Sequence, residues 1–364
     1  MSAQNTSYLK QLDGIRFIAV SLVLIDHWSD ERLKFPLGFL GVCMFFVLSG
    51  FLITRILMNA KDKDEALGRS HGFSLKQFYI RRTIRIFPVY YLTIFILYIL
   101  NVEPVRDKIV WCLTYSTNIY IAIHQSWLGV IDHLWSLAVE EQFYLFFPFV
   151  IFFIPSRYLV KVLFGFIGLS ILLRLIFYLN GIAWMASYVL MPTCLDAFGM
   201  GGLLAYFFYH KNEKVKAFIT NKLWLILSLV AYVAVVLVSK QMSEGQNIIT
   251  IVFLRVFESL LSLFLVGNAA YNFDGILKTI LENKFSIYIG RISYGIYIYH
   301  NFIYNFYHSS PNHPTIKVLN KLPFIANHLP LKFIFLYAIT IGVATLSWYL
   351  IEKPINKWKD KFGY

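Results

Sequence analysis

"LDGIRFIAVSLVLIDHW", residues 12–28, decides the fold. Its length and apolar majority suit a helix that crosses a bilayer, whose ~30 Å hydrocarbon core takes about 20 residues. Yet it carries Asp13, Arg16, Asp26 and His27. A charge near the bilayer centre costs at least ~2.5–3.5 kcal/mol on insertion scales, so such side chains face a protein interior or a wet cavity. Arg16 and His27 are eleven residues apart, close to three whole turns at ~3.6 residues per turn. They therefore share one face, roughly 16 Å apart along the axis. A cation and an imidazole on one stripe of a buried helix predict a lined site.

The rest of the chain agrees with a membrane setting. Of 364 residues, 58% are hydrophobic and 15% charged, and the mean hydropathy is +0.61, outside the usual range of a soluble domain. The 34 Phe and 24 Tyr suit buried helices with aromatic residues at the interfaces. The net charge of +13 reads as membrane orientation. Nucleic-acid binding would need a basic soluble domain, and none is visible, so no nucleic-acid partner is expected. Cys43, Cys112 and Cys194 all lie in apolar stretches, too few and too embedded for a disulfide framework or a zinc site. The first apolar run has no basic stretch ahead of it beyond Lys10 and no clear small-residue cleavage site, so no cleavable signal peptide is expected.

Apolar runs long enough to span occur at about 12–30, 37–58, 87–101, 134–154, 159–178, 187–209, 222–239, 248–268, 288–305 and 333–351. The expected fold is therefore all-α, a polytopic helix bundle of about ten spanning helices. A further run, 108–124, is short and rich in Ser, Thr, Asn and Tyr. Basic residues accumulate on the cytoplasmic side, and this arbitrates. With ten spans and a cytoplasmic N-terminus, Lys and Arg number 21 inside and eight outside. Letting 108–124 cross would move the basic loop "YHKNEKVKAFITNK" outside. Residues 108–124 therefore read as an interfacial or re-entrant helix on the outer side, and both termini as cytoplasmic. Gly199, Gly201, Gly202 and Ala205 read as close helix-packing residues. The loop 306–332 is too short to fold alone but long enough to lid a pocket.

Other polar residues share the membrane. His133 sits at the outer start of the 134–154 helix, and Glu140 and Glu141 lie in its outer half. Neighbours on a helix are ~100° apart, so these two carboxylates point differently, while Glu140 shares a face with Tyr144. Arg255 and Glu258, three apart, suit mutual neutralisation. Arg174 suits snorkelling outward, and Asp196 a hydrogen bond between packed helices. His27 alone would fit an interhelical hydrogen bond; with Arg16 on its stripe and the acidic cluster at similar depth, it reads as functional. Arg81, Arg82 and Arg85 precede Pro88 at the inner mouth of the third span. They suit either orientation or phosphate capture by guanidinium forks, with Arg82 and Arg85 on one helical face.

These motifs together resemble the acyltransferase-3 superfamily, the bacterial integral-membrane O-acyltransferases that modify envelope polysaccharides and some small glycosides. "LDGIRFIAVSLVLIDHW" looks like its first helix and "GVCMFFVLSGFLIT", with Ser49-Gly50-Phe51, its second. "RRTIRIFPVYY", "LWSLAVEEQFYLFFP", "ISYGIYIYH" and "SWYLIEKP" look like its further motifs, in order. Phe17 stands where Gly is usual after the Arg, and Cys194 stands where an Arg is frequent before Asp196, which leaves that carboxylate without a partner nearby in sequence. The resemblance implies acyl transfer from cytosolic acyl-CoA, acetyl-CoA in the first instance, to a hydroxyl of an envelope polysaccharide or lipid-linked glycan. It implies a multi-pass protein of the bacterial inner membrane. Residues 1–364 are expected to form a single integral-membrane acyltransferase domain, without the esterase-like domain fused to some members.

The residues permit such chemistry. An imidazole, with a reference pKa of ~6.5, suits a general base near neutral pH, and His27 is the candidate. Glu140 is expected to orient it, as a carboxylate does in a catalytic triad. Arg16, paired with Asp13, would stabilise negative charge or hold a CoA phosphate. Tyr144 would hydrogen-bond the tetrahedral intermediate or the sugar. Arg82 and Arg85 would grip CoA phosphates. No metal is expected. The partners are then acyl-CoA, a glycan or glycoside acceptor, and the lipid bilayer. The rival reading is a proton-coupled exporter of a lipid-linked sugar, since intramembrane Arg, Asp and His also suit ion relays.

Overall fold

A computed structural model describes residues 8–29, 32–33, 35–242, 247–305, 309 and 311–363. These residues are helical nearly throughout, with no strand among them. Ten principal helices follow the apolar runs: α1 Lys10–Trp28, α2 Leu37–Ala66, α3 His71–Ile99, α4 Leu134–Phe153, α5 Ser156–Leu179, α6 Leu195–Tyr209, α7 Lys222–Gln241, α8 Leu254–Tyr271, α9 Lys284–Ile303 and α10 Leu329–Ser347. Among the described residues seven are long and apolar enough to cross a membrane: α2, α3, α4, α5, α7, α8 with the π-helical turn ahead of it, and α10 with its continuation. The other three expected spans are α1, α6 and α9. α6 is short, at 15 residues, and α1 and α9 carry polar residues, Asp13 and Arg16 on the first and Tyr297 and His300 on the second.

Hydropathy underestimates several helices. α2 has 30 residues and α3 has 29, each roughly 45 Å long at ~1.5 Å per residue, well beyond the ~30 Å hydrocarbon core. Their charged ends continue the helix outside the apolar stretch. The connection between them is consequently short. Buried Asp64 organises it, taking Arg69 at 2.7 Å and Ser74 at 2.8 Å, while Ser70 caps α3 by accepting from Gly72 N–H. Arg81, Arg82 and Arg85 therefore lie within α3 and not in a loop.

The run 108–124 breaks into Ile109–Leu113 and Thr117–His124. Eight residues of helix reach only about 12 Å, so it does not cross as one helix. A reciprocal amide pair fastens it to α4: Asn118 donates to Gln142 at 3.1 Å and Gln142 donates back at 2.9 Å. The expected span 187–209 also differs. It enters through Trp184–Val189 and a 3-10 turn, Met191–Cys194, before α6 begins. Pro192 in that turn, which lacks an N–H to donate, is one reason the helix is not continuous. The loop 306–332, of which 306–308 and 310 lie outside the described residues, contains two short helices, Pro314–Lys321 and Pro323–Asn327.

α2 is the central helix. α1 and α6 pack on it closely enough that glycine is required at the crossings. A Cβ on Gly201 would stand 2.0 Å from the Val47 carbonyl oxygen, and one on Gly41 2.5 Å from the Ala19 carbonyl oxygen. Gly201→Ala should therefore cost about 1–3 kcal/mol or more by overpacking, read as a fall in the thermal transition of the detergent-solubilised protein. An unchanged transition would show that the α2–α6 crossing relaxes freely. On the periphery, α5, α7 and α10 turn Leu172, Leu229 and Leu346 outward, the apolar surface that lipid demands.

Candidate active site

Two polar centres lie along α1, and they answer what its charged residues face. Arg16 Nη1 is 2.6 Å from Asp13 Oδ1, the pairing expected from their spacing. Asp13 also accepts from the Tyr8 hydroxyl. Asp26 Oδ1 accepts from Leu37 N–H at 3.1 Å and so satisfies an open donor at the start of α2. His27 belongs to a network at the far end of α1.

The first centre is a cavity of about 240 Å³ between α1, α2, α3, α4 and α9. Arg16, Arg82 and Arg85 line it with Glu140, Glu141 and Tyr144. Arg85 is exposed and lines the open cavity. Arg82 lies 4.7 Å over the Tyr144 ring. Arg81 is directed elsewhere and holds the C-terminal segment by donating to the carbonyls of Lys359 and Phe362 at 3.0 and 2.9 Å. Glu140 Oε1 accepts from Ser49 Oγ at 2.7 Å, and Ser49 Oγ meets the Tyr144 hydroxyl at 3.0 Å. Glu140 and Tyr144 thus share a face as expected, with Ser49 joining them. Glu141, one position on, also reaches the cavity, which is wide enough to receive both carboxylates.

The second centre is a histidine cluster. His27 Nδ1 lies 2.9 Å from His300 Nε2 and 3.0 Å from Asn301 Oδ1. The backbone assigns the tautomers. His300 Nδ1 donates to the Tyr297 carbonyl at 2.6 Å, and His133 Nε2 donates to the Ile298 carbonyl at 3.0 Å. His300 Nε2 is then an acceptor, and His133 Nδ1 accepts from Asn301 Nδ2 at 2.9 Å. His27 Nδ1 is then a donor, and a neutral His27 carries its lone pair on Nε2, the form a general base requires. Among the described residues no group of three or more His, Cys, Asp and Glu is placed to hold a metal ion; these imidazoles bond one another, Asn301 and carbonyls.

The structure does not bring Glu140 to His27. His300 and Asn301 on α9 contact the imidazole, while Glu140 is engaged by Ser49 on α2. His27 also does not line the cavity that Arg16 lines. The two centres nevertheless adjoin. Ser136 and Tyr297 line the cavity and meet at 2.6 Å, and the Tyr297 hydroxyl reaches the His133 carbonyl at 3.3 Å. His300 and Ser49 lie within the quoted motifs "ISYGIYIYH" and "GVCMFFVLSGFLIT", and Asn301 directly follows the first of them, but no role was read for any of the three. The one signal for His300 was its depth, the outer end of its span, matching that of His27.

The remaining intramembrane charges form a separate group. Arg174 does not snorkel: it is 1% exposed, with Nη2 2.7 Å from Asp196 Oδ2 and Nη1 donating to the Thr193 carbonyl. A helix 22 residues away in sequence thus supplies the partner Asp196 lacked locally. Arg255 forms no direct ion pair with Glu258, although its charge acts on that carboxylate; its hydrogen bonds go to Cys194 Sγ and, at 2.9 Å, to the Tyr188 carbonyl.

Residues 9–349 match the model of the acyltransferase-3 family, described as an acyltransferase domain. The chain belongs to that family. It is 29% identical over 96% of its length to the peptidoglycan O-acetyltransferase OatA of Listeria monocytogenes, covering 56% of that protein. It is 28% identical to the O-acetyltransferase OatA of Staphylococcus aureus (strain NCTC 8325 / PS 47), again over 96% of its own length and 57% of the relative. A provisionally named O-acetyltransferase of Staphylococcus aureus (strain COL) is 30% identical, with 96% of this chain and 58% of that one aligned. The chain thus spans a little over half the length of these relatives. No solved structure matches it.

Proposed function

We propose that the protein is a membrane-embedded O-acyltransferase, of the class transferring groups other than amino-acyl. In this reading it moves an acetyl group from cytosolic acyl-CoA to a hydroxyl of an envelope polysaccharide or lipid-linked glycan. One observation carries the reading: a single cavity has three arginines at one end, and its Ser136–Tyr297 end abuts the His27 cluster. Phosphates of the donor would be held by Arg82 and Arg85, whose planar forks suit them. The thioester would lie toward Tyr297, and the acceptor hydroxyl would give its proton to His27 Nε2 as it attacks the carbonyl. His300 and Asn301 hold the imidazole in the required tautomer. The CoA thiolate leaves and takes up a proton. Arg16 and Tyr144 lie where negative charge on the donor or the tetrahedral intermediate would be met. The names of the relatives, peptidoglycan O-acetyltransferase among them, support the acetyl group and a wall glycan.

The decisive experiment is acyl-CoA turnover by the purified protein with total envelope glycan as acceptor. Free CoA and ester-linked acetyl should appear together. Glycan movement across a vesicle membrane without acyl-CoA consumption would favour the exporter reading instead.

The reading also requires the arginine end to face the cytosol, where acyl-CoA is made. Ala66 and Ala217 are exposed at connections that orientation by Lys and Arg puts inside. Ser74, at the same end, is buried on Asp64 and unsuitable as a reporter. Background labelling should be low, since all three native cysteines are buried and burial pushes the Cys112 thiol up to about 12. Ala66→Cys and Ala217→Cys should react in intact cells only with a membrane-permeant maleimide. Reaction of Ala217→Cys with an impermeant reagent would mean that 108–124 crosses after all.

A further inference from the structure

The arginine-lined cavity stops short of His27. On that side its wall is Tyr297, 5% exposed, with Ser136, 4% exposed. The Tyr297 ring faces two ways. Phe45, which lines the cavity, meets it edge-on at 6.1 Å. The imidazoles of His133 and His300, which do not, lie 5.8 and 5.4 Å from it, and His300 in turn meets His27 at 2.9 Å. Toward α8 the cavity is walled differently. Phe46 on its lining meets Trp135 edge-on at 6.1 Å, and Trp135 lies 4.8 Å from Tyr188, a wall of a second cavity of about 250 Å³. That partition is three packed rings, whereas the one toward His27 turns on a single ring.

For a thioester in the cavity to meet His27, one of these side chains must move, and their tethers single out Tyr297. Each neighbouring imidazole is held at both nitrogens: His133 by the Ile298 carbonyl and Asn301, His300 by the Tyr297 carbonyl and His27. The polar tether of Tyr297 is its hydroxyl, 2.6 Å from Ser136 Oγ and 3.3 Å from the His133 carbonyl. Ser136 Oγ donates to that same carbonyl at 3.1 Å, so the Tyr297 hydroxyl can donate to Ser136 in turn. A bond between two neutral hydroxyls is exchanged at small net cost when another acceptor arrives, and a thioester carbonyl oxygen is such an acceptor. A tyrosine in a helix has two χ1 wells to move between. Ser293, one turn earlier on α9, also lines the cavity and is small enough to leave room beside the ring.

We propose that Tyr297 is a door between the donor cavity and His27, that Ser136 is its latch, and that the latch decides how much donor is lost to water; this rests on the acyl-transfer reading. His27 is half-buried at the end of α1, so water can compete there with the acceptor. Behind a shut door the thioester has no base beside it. With the door open and no glycan in place, His27 takes a proton from water as the water oxygen adds to the thioester carbonyl. The C–S bond breaks, the proton passes to the thiolate, and acetic acid and CoA leave. Ser136 acts through Tyr297, as a positioning residue that favours a bound glycan hydroxyl over water.

The test is acetyl-CoA breakdown by the full chain in nanodiscs, with and without envelope glycan, beside calorimetric titration of acetyl-CoA. Ser136→Ala should raise CoA release in the absence of glycan about two- to tenfold, the worth of one neutral hydrogen bond, with acetyl-CoA affinity near the parent's. Tyr297→Ala, lacking the door, should raise it further. Ser136→Thr, which keeps the hydroxyl, should return it to the parent's rate. Ser136→Ala decides the matter if Tyr297→Ala does not fold. If the parent forms acetyl ester on glycan but Ser136→Ala releases CoA no faster without glycan, the door is overturned and the acyl-transfer reading stands. A joint fall in affinity and transfer, with no rise in hydrolysis, would mean loosened packing and overturns it equally. If the parent neither binds acetyl-CoA nor transfers its acetyl group, both readings fall together.

Discussion

His27→Ala is expected to abolish acyl transfer, with a fall of at least about a hundredfold, the lower end of what a positioned general base contributes. Insertion and folding should be retained, since His27 is only half-buried at the end of α1 and the packing of that helix rests on Leu12, Ile15, Val20 and Leu24. The measurement is acetyl ester formed per unit time from acetyl-CoA and envelope glycan, with the thermal transition as the control for folding. Activity equal to the parent's would remove His27 from the chemistry. A second variant tests how the imidazole is held. His300 reaches substrate only through His27 in the proposed scheme, by the 2.9 Å contact at Nδ1. His300→Ala should lower kcat with little change in the KM for acetyl-CoA. Adding it to His27→Ala should cost nothing further, because residues acting through one another are not additive. An independent, multiplying loss in the double variant would mean that His300 supports only the packing of α9.

Replacing both Arg82 and Arg85 with Lys is the second large effect expected. The substitution preserves charge and the count of basic residues on that side, so orientation is kept. It removes the bidentate fork. Loss of a charge-assisted contact of about 1.5–3 kcal/mol corresponds to roughly ten- to hundredfold in affinity. Calorimetric titration of acetyl-CoA into nanodisc-embedded protein should record that weakening. An unchanged dissociation constant would return these arginines to the anchoring role and leave Arg16, across the same cavity, as the phosphate ligand. Arg81 serves as the internal comparison. Its guanidinium is occupied by the carbonyls of Lys359 and Phe362, so Arg81→Lys should disturb the C-terminal segment and leave acetyl-CoA affinity near that of the parent.

The periodic, apolar character of the chain was enough to give the helical bundle, because a bilayer forces every backbone polar group into helical hydrogen bonds. The same pressure made local spacing informative. Asp13 with Arg16, Glu140 with Tyr144, and the small residues about Gly201 are pairs or patches within one helix, and helical geometry alone relates them. Arg82 and Arg85 share a face for the same reason, and both reach the cavity. Phosphate binding by them is still a proposal.

What sequence could not supply was which helices meet, since that is decided by side-chain packing between segments far apart in the chain. His27 and His300 touch across 273 residues, and Ser49 and Glu140 across 91. An imidazole and a carboxylate at similar depth therefore looked like partners, although their helices direct them to different neighbours. Arg255 and Glu258 misled in the opposite direction: proximity along one helix suggested a pair, but the Tyr188 carbonyl and Cys194 offered Arg255 better-placed acceptors. The sequence by itself determined the helical bundle and the residues available for chemistry. The tertiary structure alone decided that those residues form one arginine-lined cavity, one histidine cluster beside it and a second chamber behind an aromatic wall, because burial in a packed interior matches polar groups by three-dimensional reach and not by spacing along the chain.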